Sequence, residues 1–258
     1  PQAEMKHARI TQNPKVDTRV ERIISDTDLK AVKGVLNLYK KGFEDVTLSK
    51  ILSVGNLGLK NNRKLVPTRW SITAVDDTVG KELLKQIKEF QTGEIKAHFG
   101  GSWGNYYLFL FLDDVWSYEL FETYLSDPVN PWSKKGYMYS TDNEGYVGRK
   151  EYAKETAGGY YAARLPVLEK MKETKRQGSC LALRFITKEY SVPLGVWVCR
   201  EAARISLSSK PIYFASKELL LAYATELIQK KLGFDLDLLL KESKLLHEKK
   251  HQMKLSAF

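Results

Sequence analysis

Two cysteines and four histidines in 258 residues are too few and too scattered for a zinc module or a disulfide scaffold. Cys180 and Cys199 each sit in an apolar run, which points to buried thiols, and no metal site is expected in this segment. No apolar run approaches the roughly 20 residues of a membrane span. The longest, Tyr106 to Leu112, is strand-sized, so no membrane partner is expected. Also missing are a glycine-rich phosphate loop, a fixed-period repeat, a heptad series and a Ser/His/Asp arrangement, which removes any signal for a P-loop enzyme, a solenoid or covalent catalysis. Acid is short relative to base: 41 Lys+Arg against 31 Asp+Glu leave a net charge of +10. That excess favours a polyanion, because each phosphate neutralised releases counterions without any reading of base sequence. The 43% hydrophobic and 28% charged content is ordinary for a folded domain. The chain starts at Pro1 with no basic and apolar leader, so an intracellular, nucleoid-associated protein with a missing N-terminal region is expected.

The periodicity predicts an α+β fold, a mixed or antiparallel sheet with flanking helices, plus a charged C-terminal helix or tail. Residues 1–22 read as an extended lead-in. Ser25 and Asp28 resemble a capping box ahead of a helix running from Leu29 to Tyr39, which Gly42 stops. A short helix follows from Leu48 to Val54. Asp77 or Thr78 is placed to cap a helix with Val79, Leu83, Leu84, Ile87 and Phe90 on one face. Strands are expected at Ile95–Phe99, Asn105–Leu112 and Val115–Tyr124, with Asp113-Asp114 as a tight hairpin and helix left open for 117–125. Residues 126–150, with Pro128, Pro131, Gly136, Gly145 and Gly148, read as a long loop. A helix from Gly159 to Glu173, strands at Cys180–Ile186 and Val196–Arg200, and a helix capped by Ser216 complete a core domain of residues 1–234. Residues 235–251 read as a charged helical spacer, and 252–258 as a separate peptide.

Arg63 to Asp77 is the segment densest in side chains able to act on a ligand. Arg63, Lys64 and Arg69 suit phosphates, Trp70 suits base stacking, and Asp76 with Asp77 suits metal ligation or acid/base work. The same residues also suit a packed tryptophan, an ion pair and a helix cap, and both readings stand. Asp113, Asp114, Glu119 and Glu122 form a second acidic group that, with Asp76 and Asp77, is the candidate centre of a metal-dependent nuclease. Neighbouring strand side chains point to opposite faces, which weighs against it. Gly100 to Tyr107 and Thr156 to Arg164 join glycines to aromatics. The second precedes a helix and has Arg149 and Lys150 nearby, so a phosphate at its backbone donors is a further candidate, with Arg164 among the nucleic-acid-binding residues.

The chain ends Gln252-Met253-Lys254-Leu255-Ser256-Ala257-Phe258. Leu255 and Phe258 would share one face of a 3₁₀ turn and enter one apolar pocket, with Gln252 bonding at its rim, the spacing of a sliding-clamp tether.

Five stretches together resemble the archaeal Nre family of DNA-repair proteins: Ser25–Lys30, Leu65–Asp77, Ser117–Glu122, Ala157–Arg164 and Pro193–Trp197. The resemblance implies a role in DNA repair and a clamp-binding (PCNA-binding) peptide at the C-terminus, mapping onto Gln252, Leu255 and Phe258. This chain departs from the usual tether by ending in a single aromatic. Family members also resemble one another in an N-terminal module with paired cysteines. Nothing here matches it, so any zinc belongs to a missing N-terminal region. No catalytic mechanism carries over. The expected protein is a DNA-binding repair factor recruited to the sliding clamp, with a metal-dependent nuclease as the alternative.

Overall fold

A carboxylate starts the first helix. The Asp17 side chain accepts the Arg19 N–H at 2.8 Å, and α1 (Thr18–Ser25) buries Val20 and Ile23. Part of the expected lead-in is therefore helical, because a local cap and two apolar residues one turn apart suffice. Ser25 ends α1, and its hydroxyl donates back to Glu21 O. The computed structural model describes residues 9, 15–127, 133, 135–192 and 194–251. They divide into two units, Pro1–Val66 and Pro67–Phe258.

The first unit continues with α2 (Ala31–Lys40) and α3 (Asp45–Ser53) around Val35, Leu38, Leu48 and Leu57. Arg63 ties its loops together, donating to Gly58 O at 2.8 Å, Ile24 O at 2.7 Å and Asp26 O at 2.9 Å.

In the second unit α4 (Thr68–Ile87) begins directly after Pro67, nine residues before the expected cap at Asp77. Proline cannot continue a helix backwards but supplies a suitable φ at its threshold. There follow β1 (Lys96–Ser102), β2 (Asn105–Leu112), β3 (Ser117–Tyr124), β4 (Met138–Glu144), α5 (Ala157–Thr174), β5 (Ser179–Ile186), α6 (Val196–Ser208), β6 (Ile212–Tyr213), α7 (Lys217–Leu232), α8 (Asp237–Leu240) and α9 (Lys244–His251). The sheet order is β4-β3-β5-β2-β1-β6, antiparallel except for the parallel pair β3·β5.

Three expectations change here. Asp113-Asp114 is not a hairpin, because β5 lies between β2 and β3. The expected loop at 126–150 contains β4, whose Tyr118↔Glu144 to Tyr124↔Met138 register pairs it along β3. Val196–Arg200 is helix rather than strand: Val198, Cys199, Ala202, Ala203 and Ser206 are buried at helical spacing, and that packing outweighs the β-propensity of Val-Trp-Val.

Both sheet faces are covered. Leu108, Leu110, Leu112, Phe121, Leu181, Leu183 and Phe185 point to one side and pack with Leu220, Ala224, Ile228, Leu236, Leu239, Leu245 and Leu246 from α7 to α9. The alternate residues face α4, α5 and α6, as the edge-on contact of Tyr118 with Tyr160 at 5.2 Å illustrates. Residues 235–248, expected to be a spacer, thus carry core leucines. Their anchor is Glu119 of β3, fully buried, which accepts the Lys244 and Leu245 N–H groups at 3.1 Å and the Ser243 hydroxyl. Burial pushes its carboxyl up from the usual range, against the pull of those three donors.

Glu119→Ala strands the three donors in the core and is expected to cost about 2–4 kcal/mol. Urea unfolding measures it, and a loss below about 1 kcal/mol would mean that α9 is held by its leucines alone.

Candidate anion-binding pocket

Strand directions decide where ligand-binding groups gather. β1, β3 and β5 all run towards one edge of the sheet, while α4, α5 and α6 all start at that edge. Ligands of open α/β sheets sit at the carboxyl ends of the strands, where helix N-termini offer unpaired N–H groups. Here that place is a pocket of about 550 Å³. Arg69, Trp70 and Thr73 from α4, Ala157, Gly158 and Gly159 from α5, and Gly195, Val196 and Cys199 from α6 line it. Glu122, Tyr124, Arg184 and Ile186 form its floor at the strand ends, with Tyr152, Thr156 and Tyr190 from the adjoining loops.

None of the three helices has a side-chain cap or an acidic residue in its first turn. Thr156, at the N-cap of α5, is turned away from capping: its hydroxyl and N–H both donate to Asp142 Oδ2, at 2.9 and 2.8 Å. Gly195, at the N-cap of α6, has no side chain to offer. Three uncapped macrodipoles thus converge on one cavity, which favours an anion.

The floor is a buried knot. Arg184, 5% exposed, donates through Nε to Asn105 Oδ1 at 3.0 Å, through Nη2 to the same oxygen, and through Nη1 to Glu122 Oε1. Those bonds use three of the five guanidinium N–H groups. α5 fits over this knot only because of its glycines. A Cβ on Gly159 would lie 2.2 Å from Glu122 Oε1, and one on Gly158 would lie 3.1 Å from Thr73 Oγ1.

Among the described residues, Ala157 (φ 46°), Trp103 (φ 52°) and Lys175 (φ 52°) are the non-glycine residues in the left-handed region. Lys175 merely ends α5, but Ala157 lines the pocket and Trp103 sits in the β1–β2 turn at the same sheet edge. Burial pushes the Cys199 thiol up from its usual range, so it stays protonated and is a poor nucleophile. Burial likewise raises the phenols of Tyr124, Tyr152 and Tyr190, leaving them neutral.

Two family models match most of the chain. Residues 1–133 match archaeal Nre, N-terminal, and residues 144–258 match archaeal Nre, C-terminal. The chain belongs to the archaeal Nre family. It is 39% identical to a DNA repair protein NreA of Haloferax volcanii over 79% of this chain and 49% of the relative. It is 37% identical to the proteins of Archaeoglobus fulgidus named DNA repair protein NreA and NreB, over 86% and 84% of this chain and 56% and 54% of theirs. This Nre chain spans about half the length of the curated relatives it matches. No solved structure matches it.

Of the residues singled out in the sequence, Arg69 and Trp70 reach the pocket of this Nre chain, the Arg69 guanidinium lying 5.7 Å from the Trp70 ring centroid. Arg63 serves its own loops in the first unit, and Lys64 is an exposed residue there. Arg149 pairs with Asp142 at 3.1 Å and lies over the Tyr160 ring, while Arg164 is buried against Glu144 at 2.8 Å. Both are structural cations, and Lys150 is exposed. Asp77 pairs with Lys81 at 2.6 Å on the surface of α4. Asp113 and Asp114 lie in the β2–β3 turn at the opposite sheet edge from Glu122, and Glu119 faces α9. Among the described residues no group of three or more His, Cys, Asp or Glu is placed to hold a metal ion. Gln252, Leu255 and Phe258 fall outside the described residues.

Asp76 is 1% exposed and ion-paired with Arg200, fully buried on α6. Glu169 of α5 and Arg204 of α6 add a two-bond pair at 2.8 and 3.1 Å. These pairs tie α4 and α5 to α6. The sequence signal that would have found the pocket floor is Arg184 itself, a charge inside the apolar run Cys180–Ile186.

Removing one partner of a buried pair costs about 3–5 kcal/mol. Asp76→Ala is therefore expected to lower stability by that amount in chemical denaturation. A well-folded Asp76→Ala protein with unchanged stability would contradict a structural role for this pair.

Proposed function

We propose that this Nre chain is a DNA-repair factor that holds a DNA phosphate in the pocket and is recruited to the sliding clamp PCNA by Gln252, Leu255 and Phe258. The observation that carries the DNA half is the convergence of three uncapped helix N-termini with Arg69 and Arg184 on one cavity edged by aromatics. Backbone donors and arginines recognise phosphate without reading sequence. The names of the relatives supply the repair context. The net charge of +10 supports a polyanionic partner. The clamp half rests on the peptide's spacing and on its position directly after α9, which Glu119 fastens to the sheet. Tethering raises local DNA-bound concentration, so a modest peptide affinity suffices.

Ala157→Asp separates binding from folding. An acid in the first turn of α5 favours the helix by about 0.3–1 kcal/mol, yet it places negative charge where the phosphate would sit. We expect fluorescence anisotropy to show DNA affinity reduced at least about tenfold, with an unfolding midpoint no lower than wild type. DNA binding as strong as wild type would mean that the pocket does not hold the phosphate. For the clamp, calorimetry with PCNA is expected to lose its signal in Leu255→Ala/Phe258→Ala, and binding that survives both changes would refute the tether.

A further inference from the structure

Unspent aromatic surface surrounds the pocket. Trp70 and Tyr152 line it while remaining 58% and 51% exposed. At the α6 side, next to the lining residue Val196, Trp197 is 41% exposed and meets Trp103, 48% exposed, edge to face at 6.2 Å. We infer that the DNA taken by this pocket is single-stranded, with one phosphate among the helix N-termini and its flanking bases stacked on Trp70 and Tyr152 to one side and on the Trp103–Trp197 pair to the other. The inference rests on the phosphate pocket proposed above and adds the form of the DNA.

Three features lead there. Exposed indoles side by side are costly on a free surface and mark a binding face. Stacking platforms reach only bases that have left a duplex, and they accept any base because every base has a π-face. Arg69 lies against the Trp70 ring, so a cation for the backbone and a platform for the base are adjacent, the pairing that single-strand grooves use. The backbone also holds the platforms in place. Trp103 takes a left-handed φ of 52°, and a Cβ on Gly104 would lie 2.3 Å from Tyr190 N, so the turn carrying Trp103 closes tightly onto the segment that lines the pocket. That φ is the one a two-residue hairpin turn between Ser102 and Asn105 requires, so the turn itself fixes where the indole stands. The volume of about 550 Å³ lies in the range of sites that take a small ligand such as one nucleotide.

The test compares a fluorescein-labelled oligothymidylate with a blunt duplex of equal length, by anisotropy at one salt concentration, for wild type, Trp70→Ala, Trp197→Ala and Ala157→Asp. The single strand is expected to bind at least about tenfold more tightly than the duplex. Each tryptophan variant should lose about five- to a hundredfold of single-strand affinity, with a melting temperature near wild type because both rings are exposed. Equal affinity for the two forms, or single-strand binding unaffected by both tryptophan changes, overturns the inference. If Ala157→Asp still weakens binding in that case, the phosphate pocket stands and only the single-strand assignment falls. If Ala157→Asp changes nothing, both fall.

Discussion

The parallel pairing of β3 with β5 is the constraint on which the rest of the second unit depends. Parallel neighbours cannot be joined by a turn, so the chain must return along the sheet before β5 begins. β4 first brings the chain back antiparallel to β3, residues 145–156 carry it to the carboxyl edge again, and α5 makes the final return in 18 residues, starting above Glu122 at the end of β3 and finishing beside Ser179 at the start of β5. Its N-terminus is thereby fixed at the carboxyl edge. α6 follows β5 and starts at the same edge, and the α4 that precedes β1 does too. The pocket is a consequence of topology before it is a consequence of any one side chain.

Side chains then make the edge polar and hold it open. Arg184 lies in a strand buried on both faces, where an unpaired charge would be prohibitive, and Glu122 and Asn105 compensate it. Replacing such a knot with apolar residues is often neutral or stabilising, so stability alone gives no reason for it. A guanidinium set in the lining of a cavity gives one. The glycines at 158 and 159 belong to the same economy of space, since any side chain there would press on Thr73 or on the Glu122 carboxylate. Asp142 draws Thr156 aside and leaves the first turn of α5 uncapped, and Asp76–Arg200 keeps α4 in line with α6.

Much of the fold was legible in the sequence, for local reasons. β1, β2, β5, α5 and the Ser216-capped α7 follow from periodicity, caps and strand-sized apolar runs. What could not be read locally was partnership. Adjacency in the chain suggested that β2 and β3 form a hairpin, whereas the uninterrupted burial of β5 marks it as the strand between them. The α6 segment carries β-prone residues in its first turn, and only burial at helical spacing against β1 and β2 reveals it. For the site, Arg69 and Trp70 and the Gly158-Gly159 pair were visible as unusual chemistry. Glu122 appeared only as one of several acids, and the acids themselves separate because strand residues alternate between faces: Glu119 caps α9, Glu122 holds Arg184, and Asp113 and Asp114 stay at the far edge. The convergence of three helix N-termini has no signature in any single segment.

The central claim is that backbone donors at this edge bind an anion. Titrating ¹⁵N-labelled protein with inorganic phosphate and following amide shifts tests it most directly. The account requires saturable shifts concentrated at Ala157, Gly158, Gly159, Val196 and Trp197. Shifts spread over exposed lysines elsewhere, with those five amides unmoved, would contradict it.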